Sequence, residues 1–179
     1  MIVMNRVHLA GSLTGIIQPM DIDRDIREPT WVFEAVDEGG FSLHDCRPTY
    51  IEQHHGDIVF SFPDGFWLVK TNRQNPYRLT LQTGMSELVL SGATCDDATA
   101  HDWHTGKRRT VEWSDFVKMV NSGERVFEFV RQRHWRTSSR LTGFLKDEDF
   151  ADHEEVTLRF THDGVIYRWN EIREDQPWM

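Results

Sequence analysis

The chain has 179 residues, 39% of them hydrophobic, 12% aromatic and 27% charged, with a mean hydropathy of −0.55. That length buries roughly 70% of the unfolded surface in one core, so a single domain over residues 1–179 is expected, with no need of a metal or disulfide to hold it. Twenty Lys and Arg against 29 Asp and Glu give a net charge of −9, which disfavours nucleic acid and anionic membranes as partners, and no apolar run approaches the ~20 residues of a membrane helix.

Residues 1–6 lack the basic start and apolar core of a secretory leader. With only Cys46 and Cys95 present, the expectation is a cytoplasmic protein with reduced thiols. Residues 18–30 show no periodicity and read as a loop. Its Asp21-x-Asp23-x-Asp25 start resembles a calcium loop, but Ile26 stands where glycine is needed and Val32 where a bidentate glutamate is needed.

From Trp31 onward the signal is a period of two, broken by turn residues. Residues 31–36 and 41–44 read as a hairpin about Asp37-Glu38-Gly39-Gly40. Residues 58–62 and 66–69 read the same way about Pro63-Asp64-Gly65, and residues 77–81 and 88–90 about Thr83-Gly84. Residues 93–110 lack alternation and read as a second loop. Trp113, Phe116, Val117 and Val120 then fall on one helical face, with Ser114 as N-cap, Asp115 near the positive end and Asn121-Ser122-Gly123 as the stop. Two strands follow at 125–133 and 140–145. Six carboxylates between Asp147 and Glu155 read as a solvated loop. A last hairpin joins residues 156–160 to 165–169 about His162-Asp163-Gly164.

The fold expected is therefore mainly β, α+β at most. It is an antiparallel meander of about ten strands with one short helix near residues 113–122. Successive hairpins without a long return connection favour a barrel-like sheet over a sandwich.

Charge is uneven along the chain. Residues 107–140 hold nine basic and four acidic side chains, or +5, leaving −14 for the rest. If residues 125–137 form one unbroken strand, Phe127, Phe129, Arg131, Arg133 and Trp135 share a face. Guanidinium groups beside an indole grip phosphates and stack on rings, and Arg140 and the Lys107-Arg108-Arg109 triplet are placed to join them. The bland alternative is that these arginines pair with acidic loops of the same molecule.

A second cluster, Cys95 to His104, offers a thiol, three carboxylates and two imidazoles. Zinc accepts Cys95, His101 and His104, with His54 (or His55) from across the fold, but His-x-x-His converges only on a helical turn. No nucleophile elbow or glycine-rich phosphate loop is present. Cys46, between Asp45 and Arg47, reads as a modestly activated thiol at best, and both cysteines read more simply as structural.

Of the seven tryptophans, Trp31, Trp67 and Trp169 read as core, while Trp103, Trp135 and Trp178 lie in loops or at ends. The leading expectation is a non-catalytic binding or interaction protein. Trp103, Arg131, Arg133, Trp135 and Arg140 line its contact surface at one end of the barrel, for a small ligand or a protein partner. Nucleic acid is a weaker candidate, and no cofactor is required. The alternative is a zinc enzyme built on Cys95, His101, His104 and His54. A third reading, a structural subunit, has a homodimer burying Trp178 and a sheet edge.

Overall fold

The computed structural model describes residues 31–37, 39–147 and 152–178; the loop expected at 18–30 and its calcium-like start fall outside these. Fourteen strands and one helix succeed one another: β1 (Phe33–Val36), β2 (Phe41–Ser42), β3 (Tyr50–His54), β4 (Asp57–Phe62), β5 (Trp67–Leu68), β6 (Leu81–Thr83), β7 (Ser86–Ser91), β8 (Thr94–His101), β9 (Arg108–Thr110), α1 (Trp113–Asn121), β10 (Val126–Trp135), β11 (Ser138–Lys146), β12 (His153–Thr161), β13 (Gly164–Trp169) and β14 (Ile172–Pro177). They form three antiparallel sheets, ordered β1-β13-β7-β4-β3, β10-β11-β12-β8-β9 and β14-β6-β5-β2.

The mainly β, antiparallel architecture with one short helix is as expected. The barrel is not, because none of the sheets closes on itself. The cause lies at a corner. β7 runs into β8 through Gly92, and β12 into β13 through Asp163. β13 pairs β7 while β12 pairs β8, so two double strands turn from the first sheet into the second together. The Asp163 amide donates to the Ser91 carbonyl at 2.7 Å and fastens the bend. Gly92 adopts φ +58°, and a Cβ there would meet the Asp163 carboxylate at 2.3 Å, so the position favours glycine.

All four turns read as hairpins join different sheets. β1 pairs β13 whereas β2 pairs β5, and β4, β6 and β12 likewise part from the strands that follow them. The reversal chemistry is right, but the next strand finds its partner elsewhere. Residues 93–110, expected as a loop, form β8 and β9. Their interior positions are Ala98 and Ala100, too small to register as an alternating apolar face.

The first two sheets face each other across an aromatic core. Phe60 packs edge-on to Phe129 at 5.8 Å and to Phe160 at 6.1 Å, and Phe127 against Phe129 at 4.9 Å. Phe41 and Phe66, flanking the third sheet, pack on Tyr167 and Trp169. Helix α1 contributes buried Phe116 and Val120. Its N-cap is Glu112 rather than Ser114, since the Asp115 and Phe116 amides bond to the Glu112 carbonyl.

Exposed edges are covered by polar groups. The Asn121 amide pairs with both backbone groups of Ile51, at 2.7 and 2.8 Å, and so imitates a neighbouring strand for β3. Residues 41–46 do the same for β10: the Asp45 amide donates to Phe129 O, the Phe129 amide to Cys46 O, and His44 Nδ1 lies 2.9 Å from Val130 O.

Candidate functional site

Strand β10 carries a β-bulge at Val130, where the register to β11 slips between Phe129 and Arg131. The bulge reverses the alternation. Phe127 and Phe129 face the core, and regular continuation would send Arg131, Arg133 and Trp135 after them. Instead these three turn outward, while Gln132 and His134 turn in. Gly143 makes the bulge feasible from β11, since a Cβ there would stand 2.3 Å from the Glu128 carbonyl and 2.7 Å from the Phe127 ring.

On the outer face of the second sheet the register aligns side chains in rows. Arg133 lies opposite Arg140, Arg140 opposite Arg159, and Arg159 opposite Asp97. Adjacent strands are ~4.8 Å apart, so three guanidinium stems stand side by side with one carboxylate at the end. The next row is Arg131, Thr142, Thr157 and Thr99; beyond it come Glu155, His101 and Arg108. Together they line a groove of about 350 Å³ that holds five arginines against two carboxylates, Asp97 and Glu155.

The pairing inside the groove decides its character. Arg159 Nε is 3.9 Å from Asp97, which also accepts from the Thr99 hydroxyl at 3.0 and 3.2 Å. Among the described residues Arg131, Arg133 and Arg140 make no ion pair or hydrogen bond through their side chains. Other arginines of the molecule are engaged: Arg47 with Glu128, Arg109 with Glu154, Arg125 with Asp147 and Arg168 with Glu34. Arg78, Arg108 and Arg136 likewise show no side-chain partner among the described residues, and Arg131, Arg133 and Arg140 are set apart by standing together on one sheet face. Like charges directly opposite one another across a sheet cost about 0.2–1 kcal/mol per pair, a cost an anion between them would remove.

Trp135, 50% exposed, continues β10 beyond Arg133 and faces small neighbours, Ser138 and then Thr161. Trp103 is also exposed but lies in the β8–β9 turn, its ring tilted against His101 at 4.6 Å. It therefore borders the groove through His101 and stands apart from the other four expected residues, Arg131, Arg133, Trp135 and Arg140, which share the sheet face. That surface is a sheet face, not the mouth of a barrel.

The alternative metal set is not brought together. His54 is on β3 in the first sheet with its ring against His55, and His104 is in the β8–β9 turn facing His153 at 5.8 Å. Cys95 and His101 are six residues apart on one extended strand, ~20 Å along it. Burial raises the Cys95 thiol to about 11, and among the described residues no three His, Cys, Asp or Glu side chains converge. Cys46 is not activated either, since desolvation and then Asp45 push its thiol up to about 12.

Directly behind the arginines runs a buried polar chain that sequence reading missed. His134 Nδ1 and His162 Nε2 each lie 2.7 Å from Ser139 Oγ, and His134 Nε2 is 3.1 Å from the Tyr167 hydroxyl. Gln132 sets the direction. Its carbonyl accepts from the Leu43 amide and its NH₂ donates to Phe41 O and to Tyr167. One order consistent with this has Tyr167 donating to His134, His134 Nδ1–H to Ser139, and Ser139 to His162, whose buried Nδ1 has no hydrogen-bond partner among the described residues. Both rings are neutral in this scheme. Desolvation lowers His134 to about 4, against the opposing pull of Asp37, and burial lowers His162 as well.

A serine beside two imidazoles invites a catalytic reading, but the arrangement lacks its parts. Ser139 is 2% exposed, and among the described residues no carboxylate bonds to the outer histidine. The chain instead ties β10 and β11 of the second sheet to β13 of the first, and holds the strands that carry Arg133 and Arg140.

Trp178, the expected interface residue, is held within the chain between Trp67 at 4.8 Å and His44 at 5.8 Å. No helix among the described residues is long and apolar enough to cross a membrane. Compared with known protein families, with curated proteins and with solved structures, the chain matches none.

Proposed function

We propose that this chain is a non-catalytic binding protein that takes a small anionic ligand on the outer face of its second sheet. The carrying observation is the row Arg133–Arg140–Arg159 with Arg131 beside it, of which Arg131, Arg133 and Arg140 have no carboxylate partner among the described residues. Planar guanidinium groups in a fixed row bind phosphate or carboxylate through charge-assisted, often bidentate hydrogen bonds. Hydroxyls of Thr142 and Thr157, 3.3 Å apart, add neutral donors next to them. A cytoplasmic setting suits two unpaired cysteines, Cys46 and Cys95.

The test is calorimetric titration of pyrophosphate at low and moderate salt, on the wild-type chain and on the double variant Arg133→Ala/Arg140→Ala. Binding that weakens with salt and is lost in the double variant supports the proposal. No binding at low salt, or equal binding by the variant, contradicts it.

A further inference from the structure

Two hollows adjoin on this face, and they differ in chemistry. The arginine groove adjoins a second depression of about 520 Å³ around Trp135, also lined by Asp96, and Arg140 and Arg159 form the wall common to both. The indole is half-exposed and its cross-strand neighbour is only Ser138. Among the described residues no aromatic ring lies against it. An uncovered indole face therefore ends a row of guanidinium groups of which Arg133 and Arg140 have no side-chain partner among the described residues.

We infer that the ligand is a nucleoside di- or triphosphate, with its base stacked on Trp135 and its phosphates along the arginine row. This rests on the anion-binding reading above and names the ligand class for that same site. Trp135 and Arg133 are two residues apart on one face of β10, about 7 Å, the span of a sugar between a stacked base and its first phosphate. A single phosphate engages one or two guanidinium groups. Three abreast, with Arg131 in the next row, match a chain of phosphates.

The charge pattern favours a single nucleotide over a polynucleotide. Asp97 closes the arginine row and Glu155 closes the groove, and outside residues 107–140 the chain carries −14. The phosphates of a longer strand passing the end of the arginine row would meet the Asp97 carboxylate, which repels them.

The experiment is calorimetric titration without divalent cations, so that only the guanidinium groups compete for phosphate. The probes are ATP, inorganic tripolyphosphate and a 12-residue oligothymidylate; the proteins are the wild-type chain, Trp135→Ala, Trp135→Phe and Arg140→Ala. ATP should bind about tenfold or more tightly than tripolyphosphate. Trp135→Ala should abolish that difference, with ATP falling to the affinity of tripolyphosphate for the same variant, and Trp135→Phe should keep most of it. Arg140→Ala should weaken both ligands by about tenfold or more. Equal affinity of ATP and tripolyphosphate in wild type would overturn the nucleotide inference and leave the anion site standing. Failure of both to bind would overturn both. Tighter binding of the oligothymidylate than of ATP would replace the nucleotide by a single strand.

Discussion

His134 links the fold to pH in a way that can be worked out and tested. In the unfolded chain its imidazole titrates near 6.5; in the folded chain, burial moves it to about 4. Between those values the unfolded state holds a proton that the folded state refuses, so stability is fully present above pH 6.5 and is lost as pH falls toward 4. The whole shift corresponds to about 3 kcal/mol, and about 2 kcal/mol of it is gone by pH 5. Protonation also breaks the hydrogen-bond order, because the charged ring can no longer accept from Tyr167.

The assay is urea unfolding followed by tryptophan fluorescence at pH 7.5, 6 and 5, on wild type and His134→Gln. The variant starts less stable, but its loss between pH 7.5 and 5 should be about 2 kcal/mol smaller than that of wild type. The comparison is needed because other groups act in this window. His162 shares the direction of His134, whereas Glu87, whose carboxyl burial raises, acts with the opposite sign. An identical loss in both proteins would refute the buried neutral histidine.

Three further outcomes follow from the geometry. Arg140→Ala removes one of a row of like charges with no partner among the described residues to strand, so thermal unfolding should show stability unchanged within about 0.5 kcal/mol; a loss beyond 1 kcal/mol would mean the side chain is bonded after all. Gly143→Ala drives a Cβ against the Glu128 carbonyl and the Phe127 ring, and should lower stability by about 3 kcal/mol in urea unfolding; a neutral variant would contradict the tight bulge. With thiols at about 12 and about 11, neither Cys46 nor Cys95 should react quickly with a disulfide reagent at pH 8 until the protein is unfolded, and one fast native thiol would contradict the burial argument.

Most strands were legible from alternation, though β3, β8, β9 and β14 were not, and so was the helix, because Phe116 and Val120 sit where a 3.6-residue period puts them. Their partners were not. A turn such as Pro63-Asp64-Gly65 states that the chain reverses, but β5 after it pairs β2 and β6, a choice made by tertiary packing. Four local reversals were therefore misread as hairpins, and the open sheets as a barrel. The site shows the same division. Arg131, Arg133 and Trp135 could be grouped from spacing, although the reason given, an unbroken strand, was wrong: the bulge at Val130 is what turns them outward, and Arg140 joins them from β11 through the register. Arg159 and the threonine row needed the register. The His134–Ser139–His162–Tyr167 chain draws on three strands and the β12–β13 corner, and leaves no local signal.

The central claim is that Arg131, Arg133 and Arg140 await an anion. Guanidinium Nε–Hε resonances, assigned by single arginine-to-lysine variants and followed by NMR as pyrophosphate is added, report on each side chain separately. The account predicts saturable shifts at Arg131, Arg133, Arg140 and Arg159, with Arg125 and Arg168, already paired to carboxylates, unmoved. Uniform small shifts across all arginines, or saturation at Arg125 and Arg168 first, would contradict it.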